Sequence, residues 1–412
     1  MGADATARAE RAARESYGRL LALLASRSGD LAAAEDALAD AFRAALETWP
    51  HQGVPDNPQA WLLTTARRRQ IDGRRSAASR TSVSVDADEL DHFAAPDGDP
   101  PTIPDERLKL MFVCAHPAID AAARTPLMLQ TVLGLEADRI GRVFLVPAAA
   151  MAQRLVRAKR KIKDAGIRFQ VPEPSGIGER LEGVLEAVYG AFAIGWDAVD
   201  GAAAAGDDDL AEEARYLADL LVHLVPGDAE VLGLAALIAL AAARRAARCD
   251  AQGRYVPLSE QDVARWDAPL IERGEKLLHA ARTLGPIGRF QLEAAIQSVH
   301  AHRRVSGATD WPALALLYEG LMRQAPGLGA GVGRALAVGR ARSPQDGLAA
   351  LDRIDAAAAQ AFQPYWAARA DLLASGGQRQ AAADAAERAA ALTPDERVRR
   401  WLTDRVEAWR NA

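Results

Sequence analysis

The sequence predicts an all-α protein: two small helical domains followed by a long run of helical hairpins. Three observations carry that expectation. Half of the 412 residues are apolar, only 5 % are aromatic, alanine is abundant and β-branched runs are scarce; this mixture favours helices packed closely on one another. Apolar residues recur at helical rather than strand spacing. The breaks between periodic stretches are marked by Gly and Pro. The length alone makes two or three domains the natural expectation.

Residues 5–49 read as helices interrupted near Ser26–Asp30. From Leu31 to Trp49, the residues Leu31, Leu38, Phe42 and Leu46 form one stripe, with Glu35, Asp36 and Asp40 on the other face. Pro50 to Pro58 holds one Gly and three Pro and reads as a loop. Asn57 followed by Pro58 is an N-cap with proline at the first helical position. That helix is expected to run to Ser76, closing a first domain at 1–76. Leu62, Ala66 and Ile71 would face its core, and Arg67, Arg68, Arg74 and Arg75 would face outward.

Residues 77–104 are rich in Ser, Asp, Ala and Pro without a period, as in a flexible linker. A second helical domain is expected at 105–170. In it, Glu136 to Phe144 reads as a short helix, Leu145–Val146–Pro147 as a tight turn and Ala148 to Ala165 as a longer helix ended at Gly166. Helix, turn and basic helix match a helix-turn-helix. Residues 171–412, after Val171–Pro172–Glu173–Pro174, read as helical hairpins broken near 201–207, 226–228, 285–288, 326–333 and 375–377. Trp311, Leu314 and Tyr318 fit part of a tetratricopeptide unit, and Trp366, Ala382, Ala389 and Pro394 fit it in another register. The expectation is a degenerate, tetratricopeptide-like α-solenoid. AGVGRALAVG (330–339) follows no clear strand and reads as a junction between helices.

Charge is unevenly spread over a chain of net charge −5. Residues 1–170 carry 24 Lys/Arg and 22 Asp/Glu, whereas 171–412 carry 26 and 33, a net −7. Trp61 to Arg80 holds six Arg against one Asp, and Pro147 to Gln170 seven cations against one Asp. Two basic helices suggest two contacts with a polyanion. In MAQRLVRAKRKI (151–162), Arg154, Arg157 and Lys161 share a face, with Lys159 and Arg160 between them. Met151, Leu155, Ala158 and Ile162 form the opposite, core-facing stripe. Early side chains of a recognition helix reach base edges and later cations take phosphates. For 57–76, the residues by themselves leave a charged surface helix and a DNA contact equally open.

Cys114 and Cys249 cannot build a disulfide framework, which fits a reducing cytosol. The charged N-terminus does not read as a signal peptide, and the longest apolar run, Val231 to Ala243, is too short to span a bilayer. A cytoplasmic protein with no membrane contact is therefore expected. Cys114 and His116 lack a second pair at zinc spacing and read as a packed thiol and a hydrogen-bonded histidine. No Gly-rich phosphate loop, nucleophile elbow or HExxH occurs. No metal, cofactor or catalytic residue is expected, and the chain is not read as an enzyme.

These motifs carry a family resemblance. The first 170 residues resemble a sigma factor of the extracytoplasmic-function type, a promoter-recognition subunit of bacterial RNA polymerase. AAAEDALADAFRAALETW (32–49) is similar to region 2.1–2.2, AWLLTTARRRQIDGRR (60–75) to regions 2.3–2.4, and GLEADRIGRVFLVPAAAMAQRLVRAKRKI (134–162) to the region 4 helix-turn-helix. IPDERLKLMFVCAHPAI (103–119) and FLVPAAAMAQRLVRAKRKIKDAGI (144–167) resemble hallmark stretches of the subgroup with a long tetratricopeptide-like extension. Ala39, Ala115 and FAIGW (192–196) depart from that subgroup's usual residues.

The resemblance implies two partners, core RNA polymerase and promoter DNA. It places Glu35, Asp36, Asp40 and Phe42 against the polymerase large subunit, and helix 59–76, with Arg67, Arg68, Arg74 and Arg75, on the minus-ten element. The loop carrying Asp56 and Asn57 would take a flipped non-template base. Arg154, Arg157, Lys159, Arg160 and Lys161 would bind promoter DNA through region 4. Trp61 is read as core. The extension is expected to dock on the sigma domains, with an unidentified protein or peptide partner shifting that contact, and so to support or regulate activity. Two other readings are a helix-turn-helix regulator and a solenoid scaffold; the acidic helix 31–49 and the second basic helix argue against the first.

Overall fold

The structure, a computed structural model, describes residues 16–81, 104–144, 146–169, 172, 174–197 and 207–411. The fold is all-α; among the described residues the only β feature is an isolated bridge between Cys249 and Tyr255. The chain divides into two compact units, residues 1–191 and 192–412.

In the first unit, α1 (residues 16–28) is followed by α2 (Leu31–Gln52) and α3 (Pro58–Thr81). Asp30 caps α2 by accepting from the Ala33 N–H at 3.1 Å. Asn57 caps α3 through Ala60 at 3.0 Å. Helix α2 runs through Pro50 to Gln52, so the expected loop shrinks to residues 53–57. Pro50 has no N–H to offer the Leu46 carbonyl, and the turn is closed instead by the Gly53 N–H on the Trp49 carbonyl at 3.0 Å. Buried Trp49 anchors that turn, edge-on to half-buried Trp61 with ring centroids 5.5 Å apart.

The core stripe of α2 differs from the expected one. Leu31, Ala34, Leu38, Ala41, Ala45 and Trp49 are buried, while Phe42 is half-buried and Leu46 is exposed. Alternating steps of three and four residues follow the 3.6-residue turn, whereas repeated steps of four drift about 40° each round the helix. Alanine, not the larger residues, lines the contact. Helix α3 continues to Thr81, into the expected linker; residues 82–103 lie outside the described residues.

Four helices follow: α4 (Pro104–Cys114), α5 (Ala121–Thr131), α6 (Ala137–Val143) and α7 (Ala148–Asp164). Phe112, Met111, Leu110, Leu127 and Met128 form their core. The short α6 and the longer α7 lie where two helices were expected, and Met151, Leu155, Ala158 and Ile162 are buried as the spacing predicts; Leu145, in the expected turn, lies outside the described residues. Helix α8 (Pro174–Asp197) contains the division between the units.

The second unit opens with α9 (Asp207–Leu224) and α10 (Ala229–Ala242). Helix α10 is apolar on all sides and buried from Val231 to Ala241, so the long apolar run is a central core helix. It packs against α11 (Ala268–Ala281) and α12 (Arg289–Ser306). Residues 245–265 hold three short 3₁₀ turns instead of the expected hairpin. Beyond them α13 (Trp311–Gln324), α14 (Leu328–Ala341), α15 (Pro344–Leu351), α16 (Ala356–Gln360), α17 (Gln363–Ser375), α18 (Arg379–Leu392) and α19 (Glu396–Arg410) follow in a solenoid-like series, and α13, α14, α15, α17, α18 and α19 pack each on the next.

AGVGRALAVG is not a junction: it lies inside α14. Its glycines serve close packing. A Cβ on Gly333 would lie 2.4 Å from the Tyr318 ring, and one on Gly339 2.3 Å from Leu372. Small residues set the spacing at the end of the series too, where Ala382, Ala386 and Ala389 pack with Leu402 and Val406.

Candidate nucleic-acid interface

Helix α7 carries cations on two flanks of its buried stripe. Arg157, Arg160 and Lys161 are exposed, and Val156 stands among them at 65 % exposure. Arg160 reaches Asp164 only at 3.4 Å, with both side chains largely in solvent. Arg154 is half-buried and donates to the Ala122 carbonyl at 3.3 Å, which steadies the guanidinium beside α5. These four groups give an outward basic surface suited to phosphate and base edges.

Lys159 sits apart from that surface. Its ammonium lies 2.6 Å from Glu35 on α2, and only 12 % and 17 % of the two side chains are exposed. Lys163, one turn further on the same flank, pairs with Asp30 at 2.6 Å. Burial works against the Asp30 carboxylate, but hydrogen bonds from Lys163 and Ala33 outweigh it and hold its pKa below the ordinary value. The Tyr17 hydroxyl is pushed well up by burial and by the adjacent Glu35 charge, and it hydrogen-bonds that carboxylate. The charge in 151–163 thus divides between an outward basic face, a largely buried Lys159–Glu35 pair and a Lys163–Asp30 pair whose lysine stays largely in solvent.

On α2, Asp36 is exposed and Asp40 half-buried, the latter 2.9 Å from Arg43. Phe42 and exposed Leu46 add apolar area to this free side. Glu35, placed with these acids by the resemblance, faces α7 instead. On α3, Leu62 and Ala66 are buried and Ile71 is half-buried. Arg68 is exposed; Arg67 is half-buried, and burial together with the charge of Arg27 lowers its pKa. The side chains of Arg74 and Arg75 lie outside the described residues. Asp56 and Asn57 are exposed before α3, the Asn57 amide oxygen being used in the cap.

Cys114 is buried 3.5 Å from the Thr131 hydroxyl, and burial pushes its thiol up to about 12. The His116 ring accepts from the Ala118 N–H at 3.1 Å. Among the described residues no group of three His, Cys, Asp or Glu could hold a metal ion, and no helix is long and apolar enough to cross a membrane.

Asp30, Lys163 and Tyr17 were not singled out by sequence reasoning. The one signal available was the i, i+4 spacing of Lys159 and Lys163, which sets them on a flank away from Arg157.

Residues 13–80 match the sigma-70 region 2 family. Residues 180–282 match a family of unknown function, DUF6596. The chain is 35 % identical over 364 residues to the uncharacterized protein R00370 of Rhizobium meliloti (strain 1021), covering 87 % of this chain and 86 % of that one. No solved structure matches.

Proposed function

We propose that this chain, which belongs to the same family as R00370 of Rhizobium meliloti and carries a sigma-70 region 2 domain, is a sigma factor of the extracytoplasmic-function type. The observation that carries the reading is a combination. The region 2 match spans acidic α2 and basic α3, and the same chain holds a helix-turn-helix whose α7 presents Arg157, Arg160 and Lys161 to solvent. A regulator acting through a helix-turn-helix alone has no use for the first of these.

The roles follow from physical type. Asp36, Asp40 and Phe42 offer core RNA polymerase an acidic, partly apolar helix surface. Arg68 and its neighbours on α3 approach the minus-ten element, with Asp56 at the loop before it. Arg154, Arg157, Arg160 and Lys161 read the upstream element, and each phosphate neutralised releases counterions. The protein contributes no catalytic group and works in the cytoplasm with the polymerase. The tetratricopeptide-like extension supports initiation by binding a protein or peptide along its stacked helices.

Transcription in vitro with purified core polymerase tests the reading. Initiation at a defined promoter is expected only when the chain is added, and absence of a defined start refutes it. Deleting 198–412, which leaves α8 whole, is expected to lower promoter output; a rise would make the extension inhibitory.

A further inference from the structure

We infer that the second unit binds a small oxyanion, the phosphate or carboxylate group of a small molecule, between Arg244, just after α10, and the side of α12 that carries Gln297, His300 and Arg303. This site lies wholly in the extension and is independent of the sigma-factor reading.

Arg244 is 7 % exposed, and a buried cation is stable only when it is paired. Its partners from the chain are neutral. A terminal nitrogen donates to the Gln297 amide oxygen, and the guanidinium carbon lies 6.0 Å from the centre of the Trp196 ring. The Arg244 Nε is buried and has no hydrogen-bond partner among the described residues. Arg248 lies over the same Trp196 ring at 4.5 Å and donates to the Trp196 carbonyl. Two guanidiniums therefore share one aromatic ring.

Arg303 brings a third cation. It lies over Trp266 at 5.0 Å and donates to the Leu258 and Gln261 carbonyls at 2.9 and 3.0 Å, again neutral acceptors. The ionisable groups that act on Arg244 are Arg248, Arg303, Tyr255 and Tyr318, none of them a carboxylate. Burial, with repulsion from Arg248 next, lowers the Arg244 pKa to about 10, so the group is still charged at neutral pH. The acids that act on the two tyrosines are committed elsewhere. Glu293 pairs with Arg289 at 2.8 Å, Glu260 with Arg405, and Asp395 caps α19 through the Arg397 N–H at 2.8 Å.

An oxyanion meets each of these demands. Its oxygens accept from the Arg244 Nε–H, and its charge offsets the repulsion between the guanidiniums. His300 stands three residues from both Gln297 and Arg303, on the same side of α12. Burial keeps it neutral, so its ring brings an N–H donor without adding a further positive charge. The depth of Arg244 selects for a small ligand, because the backbone of a nucleic acid is too bulky to reach a side chain so far out of solvent.

Inorganic phosphate and succinate are the probes, added separately to the full-length chain at an ionic strength held constant with chloride. Calorimetric titration should find one site for phosphate, succinate or both, and the anion that binds should also raise the unfolding midpoint by mass action. A response to phosphate alone makes the anchoring group a phosphate, and a response to succinate alone makes it a carboxylate. Gln297→Glu sets a carboxylate beside Arg244, so it should raise the midpoint in chloride and abolish the response to added anion. Arg248→Gln should weaken anion binding about ten-fold, and keeps the test decisive if Gln297→Glu fails to fold. Arg157→Ala with Lys161→Ala, on α7, should leave the response unchanged. No response beyond that to chloride overturns the inference. So does a response that survives Gln297→Glu and Arg248→Gln, or one that is lost in the α7 variant, because either places the anion elsewhere on the chain.

Discussion

The Glu230 carboxylate accepts hydrogen bonds from the backbone N–H of Phe290 at 2.8 Å, tying the start of α10 to the start of α12. A second bond, from the Gln291 N–H, reaches the same carboxylate at 3.2 Å. Gly288 makes room for it, because a Cβ there would lie 2.3 Å from the carboxyl carbon. A negative group so placed satisfies two otherwise unpaired N–H groups and opposes the positive end of the helix dipole.

Glu230→Ala should therefore destabilise the second unit by about 1–2 kcal/mol, since the partly buried N–H groups lose their acceptor. Glu230→Gln keeps one oxygen acceptor and should cost less. Denaturant unfolding of the full chain, followed through the extension's tryptophans, measures both. Equal stability of Glu230→Ala and wild type would show that water replaces the carboxylate.

His300 predicts a pH response in the same unit. Burial pushes its pKa down to about 4, with the charges of Arg244 and Arg303 adding to the shift. Between about 4 and the ordinary 6.5, the unfolded chain binds a proton that the folded chain does not. Stability therefore rises with pH across that window, and falling from pH 7.5 to 5 should cost about 2 kcal/mol. His300→Gln should flatten that part of the profile. An unchanged slope in the variant would assign the response to other groups.

Most of α7 was legible because a helix with one apolar stripe declares its own orientation. Met151, Leu155, Ala158 and Ile162 are buried where spacing puts them. Helix α2 was misread where Phe42 and Leu46 seemed better core residues than Ala41 and Ala45. Side-chain size is visible in sequence, but how closely two backbones approach is not. The glycines of α14 misled for the same reason: Gly333 is there because Tyr318 lies against it, a fact 15 positions away in sequence and fixed only by packing. The Glu35–Lys159 pair was out of reach altogether, since helical periodicity says which flank a charge occupies and nothing about its distant partner.

Asp36 and Asp40 provide a test of the polymerase contact that does not disturb the fold. Asp36 is exposed, and the Asp40–Arg43 pair is largely solvated, so its loss should cost no more than about 1 kcal/mol. Asp36→Arg with Asp40→Arg should abolish co-purification with core polymerase while circular dichroism and unfolding midpoint stay near wild type. Retained co-purification removes α2 from the interface.

Arg157 and Lys159, two positions apart on α7, should behave in opposite ways. Arg157 is exposed, so Arg157→Ala should change stability by less than about 0.5 kcal/mol. It should weaken promoter binding by about 1–3 kcal/mol at fixed salt if it holds a base edge. If it holds a phosphate, the loss should be similar on all DNA and the salt slope should fall by about 1. Lys159→Met leaves the Glu35 carboxylate largely buried beside Tyr17 without its ammonium, which should cost about 1–3 kcal/mol of folding stability. Glu35→Gln in that background should recover part of the loss, because it removes the unpaired charge. Unfolding and promoter titration of the two single variants therefore separate a DNA contact from a lock within the chain. Should Lys159→Met leave stability intact and reduce DNA affinity as Arg157→Ala does, the basic run acts as one DNA-binding surface and the buried pair contributes nothing to the fold.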